Sequence, residues 1–516
     1  MRPIRLASSF LTVGGWTMAS RVLGFVRDAM ILAFLGTGPA YEAFVVAFRL
    51  PNMFRRFFAE GAFNTAFVPM FSKKLEAGDD PDGFASEALS GLAMVLILLT
   101  LAAQLAMPWL VWGLASGFVG QDQFGLAVEF GRIAFPYILF ISVAALLSGA
   151  LNAAGRFAAA AAAPVLLNVM LVSVMASVAL LGGDVARALI WAIPLAGVAQ
   201  MVLVWTSAAR AGLRIRPRRP RFSPDMRRLL RIAVPAALAG GVVQVNLLVG
   251  QQVASYFDHA VGWLFAADRL YQLPLGVVGI AIGIVLLPDL SRRLKARDDT
   301  GARIALSRAA EMALMLTIPA AVALVVIPLP LVSVLFERGA TTAEDSRAIA
   351  LAVAAYGLGL PAFVLQKIIQ PLYFAREDTR TPFRYALVSM LVNMVLAIGL
   401  APLIGWIATA LATTIAGWAM ALLLTLGTRP MGEVARFDDR FRKRLPRIIA
   451  AALIMGAALL PGWWLLSPWL ALSGIRFAAL AVLVAWGGLV YFGAGQLIGA
   501  FQLADLRRSL RRGGKG

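Results

Sequence analysis

Eight cationic side chains stand inside stretches that are otherwise apolar: Arg21, Arg27, Arg49, Arg55, Arg56, Arg132, Arg269 and Lys367. Five acidic ones join them: Asp28, Glu42, Glu60, Glu129 and Asp268. If these stretches cross a bilayer, a charge near its centre costs ~3 kcal/mol on insertion scales. Each such residue must then cap a helix end, reach the headgroups or face something polar. Reaching the headgroups suits Arg132 and Lys367. It does not suit Arg55, which lies in the middle of the long run 39–71. Arginine forks match phosphate oxygens, and a desolvated cavity strengthens the attraction. A cavity lined by Arg21, Arg27, Arg55 and Arg269 would therefore take an anion, with phosphate or pyrophosphate the best match.

The stretch Ala47–Phe63, AFRLPNMFRRFFAEGAF, concentrates this chemistry. On a helical wheel Arg49, Asn52, Arg56 and Glu60 form one stripe, and Arg55 is turned about 100° from Arg56. The two adjacent arginines cannot point the same way. Arg56 and Glu60, spaced i,i+4, can neutralise each other. Arg55 is thus expected on the anion and Arg56 with Glu60 in a structural pair, while Arg49 is left open. Asp28, Glu42, Arg49, Asn52, Arg56, Glu60 and Asp268 are expected to support the site.

Other chemistries find no residues. Cysteine is absent, which excludes disulfides, thiolate metal sites and thiol nucleophiles. The single histidine, His259, falls in a short predicted loop and is expected to be solvated. There is no phosphate loop of the G-x-x-x-x-G-K-[ST] type and no H-E-x-x-H, and the loops are too short to house a catalytic domain. No enzyme, metal site or cofactor is expected. Any energy must come from a gradient, the membrane potential or the substrate.

The elements that position these residues follow from composition. Of 516 residues 60% are hydrophobic and 14% charged, with mean hydropathy +0.81, whereas soluble domains carry about 25% charged residues. The class is an all-α polytopic membrane protein. Fourteen spans are expected, at about 7–35, 39–71, 86–110, 129–151, 159–181, 187–209, 230–256, 262–290, 310–335, 347–374, 383–403, 407–428, 447–466 and 476–499. Pro51, Pro136, Pro194, Pro235, Pro274 and Pro361 fall inside them and permit bends. The first apolar run is long and is interrupted by Arg21 and Arg27, unlike a cleavable signal peptide.

A net charge of +20 would suggest nucleic acid in a soluble protein. Here the basic residues gather in alternate loops. One side holds 35 Lys and Arg, densest at Arg210–Arg231, Arg292–Arg308, Arg429–Arg447 and from Arg507 onward. The other side holds four: Arg187, Arg338, Arg347 and Arg476. This asymmetry puts both termini in the cytoplasm, and nucleic acid is not an expected partner. The basic tail Leu506–Arg512 reads equally as a surface helix or a solvated segment.

An internal repeat relates A-F-R-L then P-M-F-S-K-K (47–74) to A-D-R-L then P-D-L-S-R-R (267–293). A weaker echo links Tyr137, Pro164 and Asn168 with Tyr356, Pro382 and Asn393. The offset of about 220 residues is six spans, so the halves share one orientation about an axis along the membrane normal. The expected domains are a lobe at 1–215, a lobe at 216–430, two additional spans at 431–500 and a basic tail at 501–516. Two six-span lobes around one axis is a transporter architecture with binding between the lobes.

The chain resembles the MurJ (MviN) lipid II flippases of the multidrug/oligosaccharidyl-lipid/polysaccharide exporter superfamily. The motifs are S-R-V-L-G-F-V-R-D (Ser20–Asp28), R-L-P-N-M-F-R-R-F-F-A-E-G-A-F, A-D-R-L (Ala267–Leu270), L-F-E-R-G (Leu335–Gly339) and F-A-R-E-D-T-R-T-P (Phe374–Pro382). They span both lobes. The resemblance implies that lipid II, an undecaprenyl-pyrophosphate-linked peptidoglycan precursor, is moved from the cytoplasmic to the periplasmic leaflet of the bacterial inner membrane by alternating access. It further implies that Arg21, Arg27, Arg55 and Arg269 line the cavity and that the last two spans form a groove for the polyprenyl tail. Membrane lipids and other cell-wall synthesis and division proteins are the expected partners. Glu42 stands where the family often has Asp. Gly250 and Ala397 stand where some members look to have acidic cation ligands, with only Asn393 retained, so sodium coupling there is not expected, and the membrane potential is the alternative. Competing readings are a flippase for another polyprenyl-pyrophosphate-linked oligosaccharide, a cation-coupled drug exporter of the same superfamily, and a non-transporting scaffold for cell-wall enzymes.

Overall fold

A computed structural model describes residues 6–55 and 62–501, with side chains except at 6–11, 62–63, 65, 235–247 and 277–285. Arg56, Glu60 and the basic tail lie outside the described residues. Apart from two short 3-10 turns, every regular element among the described residues is an α-helix. In order these are α1 (Leu6–Leu35), α2 (Pro39–Arg55), α3 (Ala62–Ala77), α4 (Pro81–Leu114), α5 (Asp122–Ala134), α6 (Tyr137–Ala153), α7 (Ala158–Leu180), α8 (Val185–Arg210) and α9 (Pro224–Ala254). Then come α10 (Ala260–Lys295), α11 (Asp299–Val326), α12 (Pro328–Phe336), α13 (Ala343–Phe374), α14 (Arg380–Ile404), α15 (Ile407–Gly427), α16 (Asp439–Ala471) and α17 (Arg476–Leu497).

Local sequence sets many of the boundaries. Asp80 accepts the Gly83 N–H ahead of Pro81 at the start of α4, and Ser223 accepts the Met226 N–H ahead of Pro224 at the start of α9. Asp438 caps α16 through Phe441, and Thr342 with Asp345 forms a reciprocal capping box on α13. Each cap satisfies N–H groups that a helix leaves unpaired and contributes about 1 kcal/mol. Proline explains two breaks. The expected span 129–151 is divided at Phe135–Pro136 and the span 310–335 at Ile327–Pro328, because proline removes one helical bond and clashes with the preceding turn. Pro51, Pro194, Pro235, Pro274 and Pro361 instead lie within continuous helices.

By length and apolar content, ten helical stretches among the described residues can cross a membrane. Helix α1, which carries Arg21, Arg27 and Asp28, is not among them, nor are the shorter α2 and α3, of 17 and 16 residues. Arg21, Arg27 and Asp28 sit on α1, Glu42, Arg49, Asn52 and Arg55 on α2, and Asp268 and Arg269 on α10. The residues that the sequence singles out thus sit on α1, α2 and α10.

The helices form two compact units, described separately. The first comprises α1–α9 together with Arg338–Thr341, and the second runs from Trp263 in α10 through α17. Within the first, α1 packs on α7, α2 on α5, α6 on α8, and α3 on α9. Small residues allow the close approach that replaces the hydrophobic drive inside a bilayer. A Cβ on Gly197 of α8 would lie 2.7 Å from the Tyr137 ring of α6. In the second unit α13 packs on α11 and α15, α14 on α15, and α16 on both α17 and α11. Of α14 only Pro382, Asn393 and Ala397 are buried. The α11–α16 contact is polar at one end: the buried carboxylate of Glu311 receives Arg308 at 3.0 Å, Arg440 at 3.3 Å and also Arg444.

Candidate functional site

In the first unit the Arg27 guanidinium is buried and held on two sides. Its Nε and Nη2 donate to Asp28 Oδ1 at 2.9 and 2.7 Å, and its Nη1 donates to Asn168 Oδ1 at 2.8 Å. Asn168 is itself fixed, since its Nδ2 donates 2.9 Å to the Ser20 carbonyl one turn earlier on α1. The α1–α7 packing therefore positions Arg27 through an amide that also ties down the backbone of α1. Arg21, six residues earlier, is turned about 120° away on the same helix and is half-buried. The two arginines of the first motif thus occupy different faces.

On α2, Glu42 is 1% exposed. Its Oε1 accepts the Val261 N–H at 3.1 Å, and its Oε2 faces Gln123 Nε2 at 3.4 Å. Val261 is the second residue of α10, so a carboxylate of α2 caps the start of another helix, where negative charge is favoured. A cavity of about 430 Å3 adjoins it, lined by Glu42, Asp122, Gln123, Asp258 and His259 among others. His259 is not simply solvated as the sequence suggests. It is half-buried at φ +63°, and its Nδ1 lies 3.0 Å from the Thr37 hydroxyl, because the tight turn between α9 and α10 folds its ring back onto the end of α1.

Arg49 is half-buried and donates to Gln251 Oε1 of α9. Asn52 donates back to the Phe48 carbonyl at 2.8 Å, so its amide serves its own helix. Arg55 is the last residue of α2 and is half-buried; the neighbouring Phe54 packs edge-on against Phe135 at 5.4 Å. In the second unit the Arg269 guanidinium lies 4.3 Å from the centre of the Phe265 ring, a cation–π contact one turn apart. Asp268 accepts from Gln272, also one turn away. The structure brings together Arg27 with Asp28 in the first unit; the repeat counterparts Arg49 and Arg269 have unlike partners, an amide and an aromatic ring.

Sequence reasoning missed the amides: Asn168, Gln251 and Gln123 each hold a charged residue of the site. The available signal for Asn168 and Gln251 is an uncharged amide inside an apolar span, which in a bilayer needs a partner as a charge does; Gln123 precedes the expected span 129–151 and carries no such signal.

These helices and their charges define the class. The chain shares the fold of a multidrug resistance MATE family transporter of the MOP superfamily in its inward-facing conformation, with TM-score 0.67 at 16% identity over 80% of this chain and 94% of that one. A closer likeness is to the solved structure of Lipid II flippase MurJ in an inward closed conformation: TM-score 0.79 and 25% identity over 94% of this chain and 98% of that one. Residues 31–478 match the family described as Lipid II flippase MurJ. The chain is 45% identical to the probable lipid II flippase MurJ of Rhizobium meliloti (strain 1021), over 98% of this chain and 97% of that protein. It is 33% identical to the lipid II flippase MurJ of Burkholderia cenocepacia, over 98% and 99%. The chain belongs to the MurJ family. That is a family of transporters rather than enzymes, and its membership makes this a multi-pass protein of the bacterial inner membrane.

Proposed function

We propose that this chain moves lipid II from the cytoplasmic to the periplasmic leaflet by alternating access, with Arg21, Arg27, Arg55 and Arg269 receiving the pyrophosphate. The observation that carries the reading is that, in a chain of this family, charged side chains stand within α1, α2 and α10, with the Arg27 guanidinium buried against Asp28 and Asn168. A guanidinium at bilayer depth is retained where an anion must pass. Asp28 and Asn168 orient Arg27, and Glu42, Arg49, Asn52, Arg56, Glu60 and Asp268 support the site. The lobes are 1–215 and 216–430, fourteen spans cross the membrane with both termini in the cytoplasm, and the spans within 431–500 form the groove for the polyprenyl tail. Each charge that returns across the bilayer senses ~2.3 kcal/mol per 100 mV, so a membrane potential negative inside draws the emptied cationic cavity back toward the cytoplasm. Cell-wall synthesis and division proteins are its partners in the membrane.

The test is complementation of a strain depleted of its own lipid II flippase, together with an assay that reads the leaflet of the labelled headgroup. Arg55→Ala and Arg269→Ala are each expected to reach the membrane at normal levels and to lower translocation at least tenfold, the loss of about 1.5–3 kcal/mol of charge-assisted hydrogen bonding. Full activity of both variants would remove the cationic cavity from the mechanism. Headgroups that never change leaflet even with the unaltered protein would leave a scaffold role instead.

A further inference from the structure

A second cavity, of about 540 Å3, lies in the first unit between the N-terminal half of α1, at Thr12 and Trp16, the end of α6, the start of α7 and the end of α8. Two arginines line it: Arg156, in the turn after α6, and Arg210, which closes α8. Both are exposed, and neither makes an ion pair with a described residue. Arg210 also complements the C-terminal dipole of α8, which accounts for one arginine there but not for two on one cavity. Ala158 and Ala159, the first residues of α7, form another wall, and the N-cap residue Phe157 supplies no side-chain acceptor. The free N–H groups of that first turn add to the positive potential. Trp16 and Ser207 complete the polar rim. None of Arg21, Arg27 and Arg55 lines this cavity, so it is separate from the proposed substrate arginines and does not rest on them.

The depth of the cavity identifies its occupant. Helix α1 runs from Trp16, at this cavity, to Leu35, near the acidic cavity around Glu42. Nineteen residues of helix cover ~30 Å, the thickness of the hydrocarbon core. The cavity therefore lies at the level of one headgroup layer, where tryptophan is also favoured. Its polar rim gives way to an apolar surface: Val13 and Val202, next in sequence to the lining residues Thr12 and Leu203, are 37% and 50% exposed. Two guanidiniums beside an apolar exit suit a phosphate that carries acyl chains better than one surrounded by water. We infer that the cavity between α1, α6, α7 and α8 binds the phosphate of an anionic phospholipid headgroup.

Native mass spectrometry of the purified full-length protein tests this with three probes: phosphatidylglycerol, phosphatidylcholine and inorganic phosphate. The unaltered protein should retain phosphatidylglycerol over phosphatidylcholine. The double variant Arg156→Gln/Arg210→Gln should bind phosphatidylglycerol at least about tenfold more weakly, and the Lys/Lys double variant should recover part of the loss because it keeps charge without the fork. If the Gln variant fails to fold, Ala158→Asp serves instead. A carboxylate in the first turn stabilises α7 yet repels the phosphate, so it should lower the same binding with an undiminished melting temperature. Equal phosphatidylglycerol binding by the unaltered and variant proteins would overturn the site. Inorganic phosphate bound as tightly as phosphatidylglycerol, or no preference over phosphatidylcholine, would overturn the lipid assignment.

Discussion

Arg27 shows how a buried guanidinium is held in a helix. Asp28 supplies the countercharge, but an adjacent residue on the same helix cannot by itself fix the position of the side chain; Asn168 does so from α7. Asn168→Ala removes one acceptor from Arg27 and one donor from the Ser20 carbonyl. The expected loss is about 1–3 kcal/mol of stability, read as a lower unfolding midpoint in detergent; an unchanged midpoint would mean that Arg27 finds another partner. A second residue-scale prediction concerns Asp378, in the F-A-R-E-D-T-R-T-P motif between α13 and α14. Its carboxylate accepts the Thr381 N–H at 3.0 Å, and the Thr381 backbone and hydroxyl hold its pKa below the usual range. A depressed folded value stabilises the protein above the unfolded pKa of about 3.9 and ceases to do so as pH falls through the folded pKa. Asp378→Asn should therefore lower the melting temperature at neutral pH and flatten its dependence on pH in the acid range, so that the two proteins converge below the folded pKa. A melting profile identical to that of the unaltered protein would remove this role.

At the scale of elements, the L-F-E-R-G motif acquires a physical reason. The turn Arg338–Thr341 lies against the end of α1, where the Ala340 N–H meets the Ala33 carbonyl and the Thr341 hydroxyl meets the Leu32 carbonyl, both at 2.8 Å. Those carbonyls belong to the last turn of α1, where a helix end leaves acceptors to be met from outside; that of Leu32 also accepts the Gly36 N–H at 2.8 Å. Gly339 has φ +60°, and a Cβ there would lie 2.1 Å from the Ala33 oxygen. Gly339→Ala should cost about 2–4 kcal/mol through strain and overlap. Gly78, at φ +69° with nothing within 4 Å of its Cβ, is the control, and its replacement by Ala should cost about 1 kcal/mol. Equal shifts in the two melting temperatures would show that the close approach carries no weight. The glycine of this motif is thus required by a neighbouring helix end, which its spacing in the sequence does not reveal.

For the whole molecule, topology is the quantity to measure. The charge asymmetry predicts that Ala77, at the end of α3, faces the cytoplasm and Gln121, before α5, faces the periplasm. Both are exposed, and the chain has no cysteine of its own. Ala77→Cys should react with an impermeant maleimide only after the membrane is opened, and Gln121→Cys should react in intact cells once the outer membrane is permeabilised. The reverse pattern would invert the proposed direction of transport.

The class of protein was legible in the sequence because a bilayer forces every backbone polar group into a helix, so apolar run length alone implies all-α structure. The charged helices were legible for the same reason: a charge costs too much in lipid to be incidental, and Arg21, Arg27, Glu42, Arg49, Arg55 and Arg269 stood out against apolar neighbours. The motifs, with Ala47–Phe63 foremost, carried the family. The partners of those charges were not legible. That Arg27 rests on Asn168, Arg49 on Gln251, and Glu42 on the first turn of α10 depends on contacts between residues from 141 to 219 positions apart. Nor did the proline positions decide which helices break, since Pro136 and Pro328 divide spans while Pro51 and Pro194 do not. Periodicity and charge are properties of a single segment and can be read along it. Which faces meet, and which amide satisfies which guanidinium, is fixed by the packing of helices distant in sequence, and only the tertiary structure decides it.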